Sequence, residues 1–455
     1  MKIKDCLGIC NAKLIMGDEN YIFEGFSKDT RTIQNGDTYV GIKGETFDGN
    51  LFFEDAFLNG ADTCVLDHVL LTDEIRKKYS DKNIILVDDT VLFIMELAKK
   101  KREQISVPVI AITGSVGKTS TKKIVVDTLE TKYSVLASVR NENTKIGMSL
   151  RILNYQNEEM IVLEMGMNQA GEIRNLTNIA KPDVAIITNV GMSHIGNLGS
   201  RENILKAKLE ILEGLSGPII VNNDNDLLHD WIKRKEYAPI ITFGIHEVSD
   251  YQAMNVSYEK KGTTYKLNGQ NIFVPVIGDA FVYNSLVAFI IGDLYSVSHE
   301  KIEAVLRELK TESHRMEFIY EKNYTIIDDT YNASYDSVAF SLNVLQRLDG
   351  RKIAVLGDIF ELGEYGEEVH RQIGKLVVSL NMDVLITVGE LSRYIDEEAI
   401  NLGFSSDCVF HFDTNIDAIC YLKQIIQSGD VILVKASHGM NFLEIVDALK
   451  EGYNG

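Results

Sequence analysis

Residues 111–123 read AITGSVGKTSTKK, and this stretch limits what the chain can fold into more than any other. The run SVPVI leads into AIT and is rich in valine and isoleucine, the signature of a buried parallel strand. Beyond the glycines, Val125, Val126, Leu129 and Tyr133 recur at helical spacing and predict a helix from near Lys118. A strand, a glycine turn and a helix bring backbone N–H groups and the positive end of a helix dipole to one point, where an anion binds. The candidate phosphate-binding residues are therefore Gly114, Ser115, Val116, Gly117, Lys118, Thr119 and Ser120. Among them Lys118 supplies a point charge and Thr119 a hydroxyl suited to Mg²⁺. The spacing is G-x-x-G-K-T, two residues tighter between the glycines than the common phosphate loop, so a plain glycine turn of an α/β sheet also fits the stretch.

The pattern around it repeats. VPVIAIT, EEMIVLEMG, PDVAIITNV and GPIIVNN are apolar runs separated by helical segments, which means a parallel sheet covered on both faces. Residues 251–276 are β-rich with KKG and NGQ turn signals, and read as an antiparallel addition followed by helices at about 280–295 and 299–310. A third unit alternates again through NYTIIDD, RKIAVLGD, MDVLITVG and DVILVKAS, like a dinucleotide-fold sheet but without G-x-G-x-x-G. Before residue 100, short strands and turns make a small α/β module. The expected fold class is α/β with three domains, at 1–104, 105–312 and 313–455.

Composition excludes several functions. With 66 acidic against 46 basic residues, a net charge of −20 disfavours nonspecific binding to nucleic acid or anionic membranes. The five cysteines form no C-x-x-C pair and no histidines fall at H-x-x-x-H spacing, so reduced thiols and no zinc site are expected. Asp5 stands where a signal peptide needs its apolar core, and the longest uncharged run, AFVYNSLVAFIIG, is too short to span a bilayer. A cytoplasmic protein without membrane insertion is expected.

Polar residues stand where apolar strands stop. VLEMG puts Glu164 at one strand end, and ITNVGMSHIG puts His194 beyond another. Ligands of doubly wound sheets lie at the carboxyl ends of the strands, and a carboxylate with an imidazole beside a triphosphate suits Mg²⁺. Alone, Glu164 reads as a helix cap or surface group and His194 as a satisfied turn residue; their occurrence after successive strands supports the functional reading. In SRENILKAKLEILEG, Ser200 is an N-cap and Ile204, Leu205, Leu209 and Leu212 form the apolar face. Lys206 and Lys208 point to different sides, and on physical grounds both are expected to be solvated. Further on, Asn284 lies on a helix, Arg315 stands in SHRMEF, and Asp328 and Asp329 end the strand in IIDDTYNAS. An arginine suits a γ-phosphate and an aspartate after a strand suits ribose hydroxyls, but an interdomain salt bridge accounts for them equally.

In order along the chain, DTRTIQNGDTYVGIKGETFDGN, TGSVGKTS, NENTKIG, VLEMGMNQAGEI, ITNVGMSHIG, KAKLEI, HRMEF, DDTYNAS, VLGDIFELGE and VKASHGM resemble the motif series of the Mur ligases of peptidoglycan synthesis. Each motif is weak alone; the series is specific, and in that family the tight glycine spacing is usual. The resemblance implies an N-terminal UDP-substrate domain, a central ATPase and a C-terminal Rossmann-like domain that admits the amino acceptor. It implies that Lys118 and Thr119 bind phosphate and Mg²⁺, that Glu164 and His194 are Mg²⁺ ligands, and that Lys208 carries a CO₂-derived carbamate as an anionic metal ligand. Asn284 matches the adenine contact, Arg315 a phosphate contact and Asp329 the ribose contact. Thr30, Arg31 and Lys43 fall in the UDP-binding segment, and Asn143 near the muramyl substrate.

Three positions depart from the family pattern: Ala280 for histidine, Tyr335 for proline and His438 for arginine. A D-N-P-R signature, which marks the ligases that add diaminopimelate or lysine, is absent. That favours the branch in which ATP activates UDP-N-acetylmuramoyl-tripeptide and D-alanyl-D-alanine is the acceptor, with the enzyme a monomer. The alternatives are a Mur-type or folylpolyglutamate-type ligase with another acceptor, a P-loop conformational switch, and a weakened Mur-like ATPase subunit.

Overall fold

The computed structural model describes residues 1–139, 142–259 and 261–450. Asn141, the first residue of NENTKIG, and Lys260, the first of KKG, lie outside the described residues. At the centre is a seven-stranded sheet in the order Tyr251–Gln252, Ile240–Gly244, Ile219–Asn222, Val184–Ile187, Val109–Thr113, Met160–Glu164 and Val135–Ala137. Every neighbouring pair in it is parallel. The middle strands are apolar on both faces because helices cover both. Ile110, Ile112, Ile161, Val162 and Ile186 are fully buried, each worth about 1.5–3 kcal/mol. Register decides where chemistry can sit. Ile112 lies opposite Glu164 and Thr113 opposite Ile187, so the loops after these strands leave one carboxyl edge together.

The segment 251–276 differs from the sequence expectation at its start. Tyr251 and Gln252 extend the parallel sheet beside Phe243 and Gly244. Only Met254–Glu259, Gly262–Leu267 and Gln270–Val274 form a separate antiparallel sheet. Helix Asp279–Leu294 follows; it is apolar on nearly every side and packs against helix Lys118–Glu130.

A five-stranded N-terminal sheet runs Lys13–Met16, Asn83–Leu86, Thr63–Leu66, Thr38–Val40, Phe26–Ser27, with the first strand antiparallel. The C-terminal sheet runs Glu317–Tyr320, Thr325–Asp328, Val431–Lys435, Lys352–Gly357, Val384–Val388, Val409–Phe412, again with an antiparallel first strand. Helix Tyr335–Gln346 of this unit meets the central one: Phe340 packs 6.1 Å from Phe281, and Arg347 lies over the Tyr258 ring at 3.8 Å. Tyr335 is the first residue of that helix, where proline's fixed φ is useful. Here Ser334 does the work instead, through a capping box with Ser337.

Candidate active site

Strand Val109–Thr113 ends in a loop that only glycine can make. Gly117 has φ 81°, and a Cβ on Gly114 would collide with the Thr188 hydroxyl. No side chain caps helix Lys118–Glu130, so its first N–H groups stay free for an anion. Lys118 curls over the loop, its Nζ donating to Gly114 O at 2.8 Å. Burial pushes its pKa down; Glu164 opposes this and Arg315 adds to it. The loop opens into a cavity of about 870 Å³ lined by Ser115 to Ser120 and by Asn143, Glu164, His194, Asn284, Arg315 and Asp329.

Glu164 ends strand Met160–Glu164 and is 2% exposed, which removes the surface-group reading. Asn143 Nδ2 donates to its Oε1 at 3.0 Å, so Asn143, expected near the muramyl substrate, braces the carboxylate. Oε2 is buried without a hydrogen bond, 3.6 Å from Lys122 Nζ. A buried carboxylate oxygen with only a distant cation is an expensive arrangement in an otherwise well-bonded interior. It fits a divalent ion facing the cavity. Lys122 carries no motif signal in the sequence, although it lies one turn beyond Lys118 on the same face.

His194 is not a satisfied turn residue. It has φ 65°, which is uncommon outside glycine, and its Nδ1 is 2.9 Å from Glu361 Oε2 without the alignment of a hydrogen bond. Burial holds its pKa below the usual value, against the pull of Glu361 and with help from Lys118 and Lys208. A neutral imidazole is the form that binds a metal.

The two lysines of helix Arg201–Leu209 separate. Lys206 is exposed, whereas Lys208 is 2% exposed, which overturns its reading as a solvated charge. It stands four residues beyond Ile204, on the face that packs inward. Among the described residues its ammonium has no hydrogen-bond or ion-pair partner. Burial first, and then the charge of Lys118, push its pKa well below that of a free lysine, with Asp336 pulling the other way. This favours the neutral amine, the only form of a lysine that can react with CO₂.

Across the cavity, Asn284 accepts from Thr121 Oγ1 at 2.7 Å, and Ala280 lies on the same helical face four residues earlier. Arg315 stacks 3.8 Å over Tyr331. Asp329 is held by Ser341 Oγ at 2.6 Å and by buried Lys435 Nζ at 2.6 Å. That ion pair lies within the C-terminal unit, so the interdomain salt bridge is not what Asp329 makes. His438 is exposed beside Tyr331, with ring centroids 6.1 Å apart. The N-terminal candidates lie elsewhere. Arg31 is exposed and paired with Asp29 at 2.7 Å, Thr30 shares its 3₁₀ turn, and exposed Lys43 pairs through its backbone with Asp48 in an isolated antiparallel β-bridge. None of the three lines the cavity.

A phosphate loop, a buried carboxylate and an imidazole beyond neighbouring strand ends and a second Rossmann-like sheet closing the cavity define an ATP-dependent ligase of the Mur type. The comparisons agree. Residues 112–292 match the Mur ligase middle domain and residues 314–438 the Mur ligase, glutamate ligase domain. The chain belongs to the Mur ligase family. It is 36% identical over 441 residues to the UDP-N-acetylmuramoyl-tripeptide–D-alanyl-D-alanine ligase of Bacillus subtilis, covering 95% of this chain and 94% of that one. The Escherichia coli protein of the same name is 30% identical over 439 residues, covering 94% of each. In structure it is similar to MurF from Acinetobacter baumannii, with a TM-score of 0.89 at 26% identity over 99% of both chains. MurF ligase from Thermotoga maritima in complex with ADP gives 0.83 at 28% identity, over 95% of this chain and 99% of that one. Within the family the chain therefore stands with the D-alanyl-D-alanine-adding ligases.

Proposed function

We infer that this chain is the ADP-forming ligase that joins D-alanyl-D-alanine to UDP-N-acetylmuramoyl-tripeptide in peptidoglycan precursor synthesis. One observation carries the reading: the phosphate loop, Glu164 with its unpartnered oxygen and His194 line one cavity together with Arg315, Asp329 and Glu361 of the C-terminal unit, and Lys208 is buried close enough to feel the charge of Lys118. In the first step the tripeptide's terminal carboxylate oxygen forms a bond to the γ-phosphorus of ATP while the bond to ADP breaks. The amine of D-alanyl-D-alanine then attacks the acyl carbon, loses a proton, and expels inorganic phosphate. No protein nucleophile is required.

The free N–H groups at the start of helix Lys118–Glu130 and the Lys118 ammonium hold the phosphates as negative charge shifts between them. Mg²⁺, when bound, would neutralise charge on the transferring phosphoryl group; Thr119, Glu164, His194 and the Lys208 carbamate would hold it. Asn143 and Lys122 keep the Glu164 carboxylate in place. Arg315, stacked on Tyr331, faces the phosphates, Asp329 the ribose and Asn284 the base. The N-terminal domain, with Thr30, Arg31 and Lys43, would hold the UDP group. We place the domains at 1–104, 105–312 and 313–455, the enzyme as a monomer, and the reaction in the cytoplasm, where ATP and a nucleotide-linked substrate meet. Among the described residues no helix is long and apolar enough to cross a membrane.

The test is phosphate release from ATP with UDP-N-acetylmuramoyl-tripeptide, in the presence and absence of D-alanyl-D-alanine, D-alanine and L-amino acids. Release that depends on both the tripeptide and the dipeptide is expected. Release without an acceptor at the same rate would point to a conformational ATPase, and release with a different acceptor to another ligase.

A further inference from the structure

The loop from Thr188 to His194 is gripped from two sides. On the nucleotide side, Thr188 Oγ1 donates to Val116 O at 2.6 Å, Asn189 Oδ1 accepts from the Ser115 and Val116 amides at 2.9 Å, and the Gly191 amide donates to Ser115 Oγ at 2.9 Å. On the other side the partners come from the C-terminal domain. The Met192 amide donates to Asp336 Oδ2 at 2.7 Å, and Glu361 Oε2 lies 2.9 Å from His194 Nδ1. Just beyond, Tyr365 OH donates to Gly199 O at 2.6 Å.

Two features single out the His194–Glu361 contact. Both residues hold left-handed backbone, at φ 65° and 64°, and they face each other across the seam between domains. Uncommon conformations of this kind persist where surrounding structure enforces them, and they cluster at functional sites. No described residue hydrogen-bonds His194 Nδ1, which is buried, and Glu361 Oε2 is the charged group that approaches it. Glu361 is thus the group placed to set how the imidazole is turned. An imidazole that gives one nitrogen to a metal is oriented by what its other nitrogen meets.

We propose that Glu361 and Asp336 are positioning residues through which the docked C-terminal domain orients His194 for the divalent cation. The cation site is then complete only in the docked arrangement, and by linkage the cation favours docking. This rests on the reading of His194 as a metal ligand. It goes beyond that reading by making the acceptor-side domain part of the metal site.

The experiment measures Mn²⁺ binding to the full chain with ADP by electron paramagnetic resonance, for wild type, His194→Ala, Glu361→Ala, Glu361→Gln and Asp336→Asn. Glu361→Ala should weaken Mn²⁺ roughly tenfold, Glu361→Gln less, and Asp336→Asn measurably. At saturating Mg²⁺, Glu361→Ala should recover most of the wild-type kcat while its Mg²⁺ requirement stays raised. Small-angle scattering should show Mn²⁺ compacting wild type more than Glu361→Ala. The Glu361 side chain is 57% exposed, so its replacement leaves the fold intact, which the melting curve checks. Wild-type Mn²⁺ affinity in Glu361→Ala, with His194→Ala weakened, would overturn this proposal alone. Wild-type affinity in His194→Ala as well would overturn the metal reading beneath it.

Discussion

Lys208 shows how far a single residue's surroundings can reverse its chemistry. On an exposed face it would be a solvated cation; enclosed near Lys118, it is pressed toward the neutral amine that a carbamate requires. Lys208→Ala should lose nearly all turnover and regain part of it with short carboxylic acids that refill the anionic position. Lys206→Ala, exposed on another face, should keep its rate. Equal rates for the two variants would remove the carbamate from the mechanism. Glu164→Gln keeps the shape but not the charge of the group with the orphaned oxygen, so the Mg²⁺ concentration for half-maximal rate should rise roughly tenfold or more. An unchanged Mg²⁺ dependence would make Glu164 structural. The sequence exposed Glu164 because an apolar run stops at it, and His194 because it follows the end of another. It hid the burial of Lys208 behind the habit of reading lysine as surface, although the four-residue step from Ile204 pointed inward.

At the scale of elements, the buried parallel strands were legible because covering helices make them apolar throughout. Half-buried strands were not: Ile240–Gly244 lies near a sheet edge, and Val409–Phe412 is partly exposed along its whole length. Beside that second strand, Asp396 sits at the start of helix Arg393–Asn401 with its carboxylate on Thr387 Oγ1 at 2.6 Å and near His411. Burial pushes its pKa up to about 7. The folded chain thus holds this proton over the range between the ordinary aspartate value, about 4, and 7, whereas the unfolded chain releases it. The stability associated with this proton is complete below about pH 4 and is lost as pH rises through 7. Asp396→Asn should therefore melt like wild type near pH 4 and be more stable by about 1–3 kcal/mol at pH 8. Parallel melting curves at both pH values would show that the carboxylate is not desolvated as described.

Over the whole molecule, the site is shared between domains, and this is where sequence reading stops. Asp336 meets Met192 across 144 residues, and Glu361 meets His194. No local spacing encodes such pairs, even though VLGDIFELGE was recognisable as a motif. Gly196 marks the seam: a Cβ there would meet the backbone of Leu362 and Gly363 at 2.7 Å. Alanine suits its short helix better than glycine, by up to about 1 kcal/mol. Gly196→Ala should therefore melt no lower than wild type yet turn over at least tenfold more slowly, with a larger radius of gyration when nucleotide is bound. Wild-type turnover would mean that the two domains need not meet there. The central claim is that this closed site passes a phosphoryl group to the tripeptide carboxylate before the amine attacks. It is tested most directly with UDP-N-acetylmuramoyl-tripeptide labelled with ¹⁸O in its terminal carboxylate, by mass analysis of the phosphate released with D-alanyl-D-alanine. One labelled oxygen in each phosphate is the expected result; phosphate free of label would contradict the acyl phosphate route.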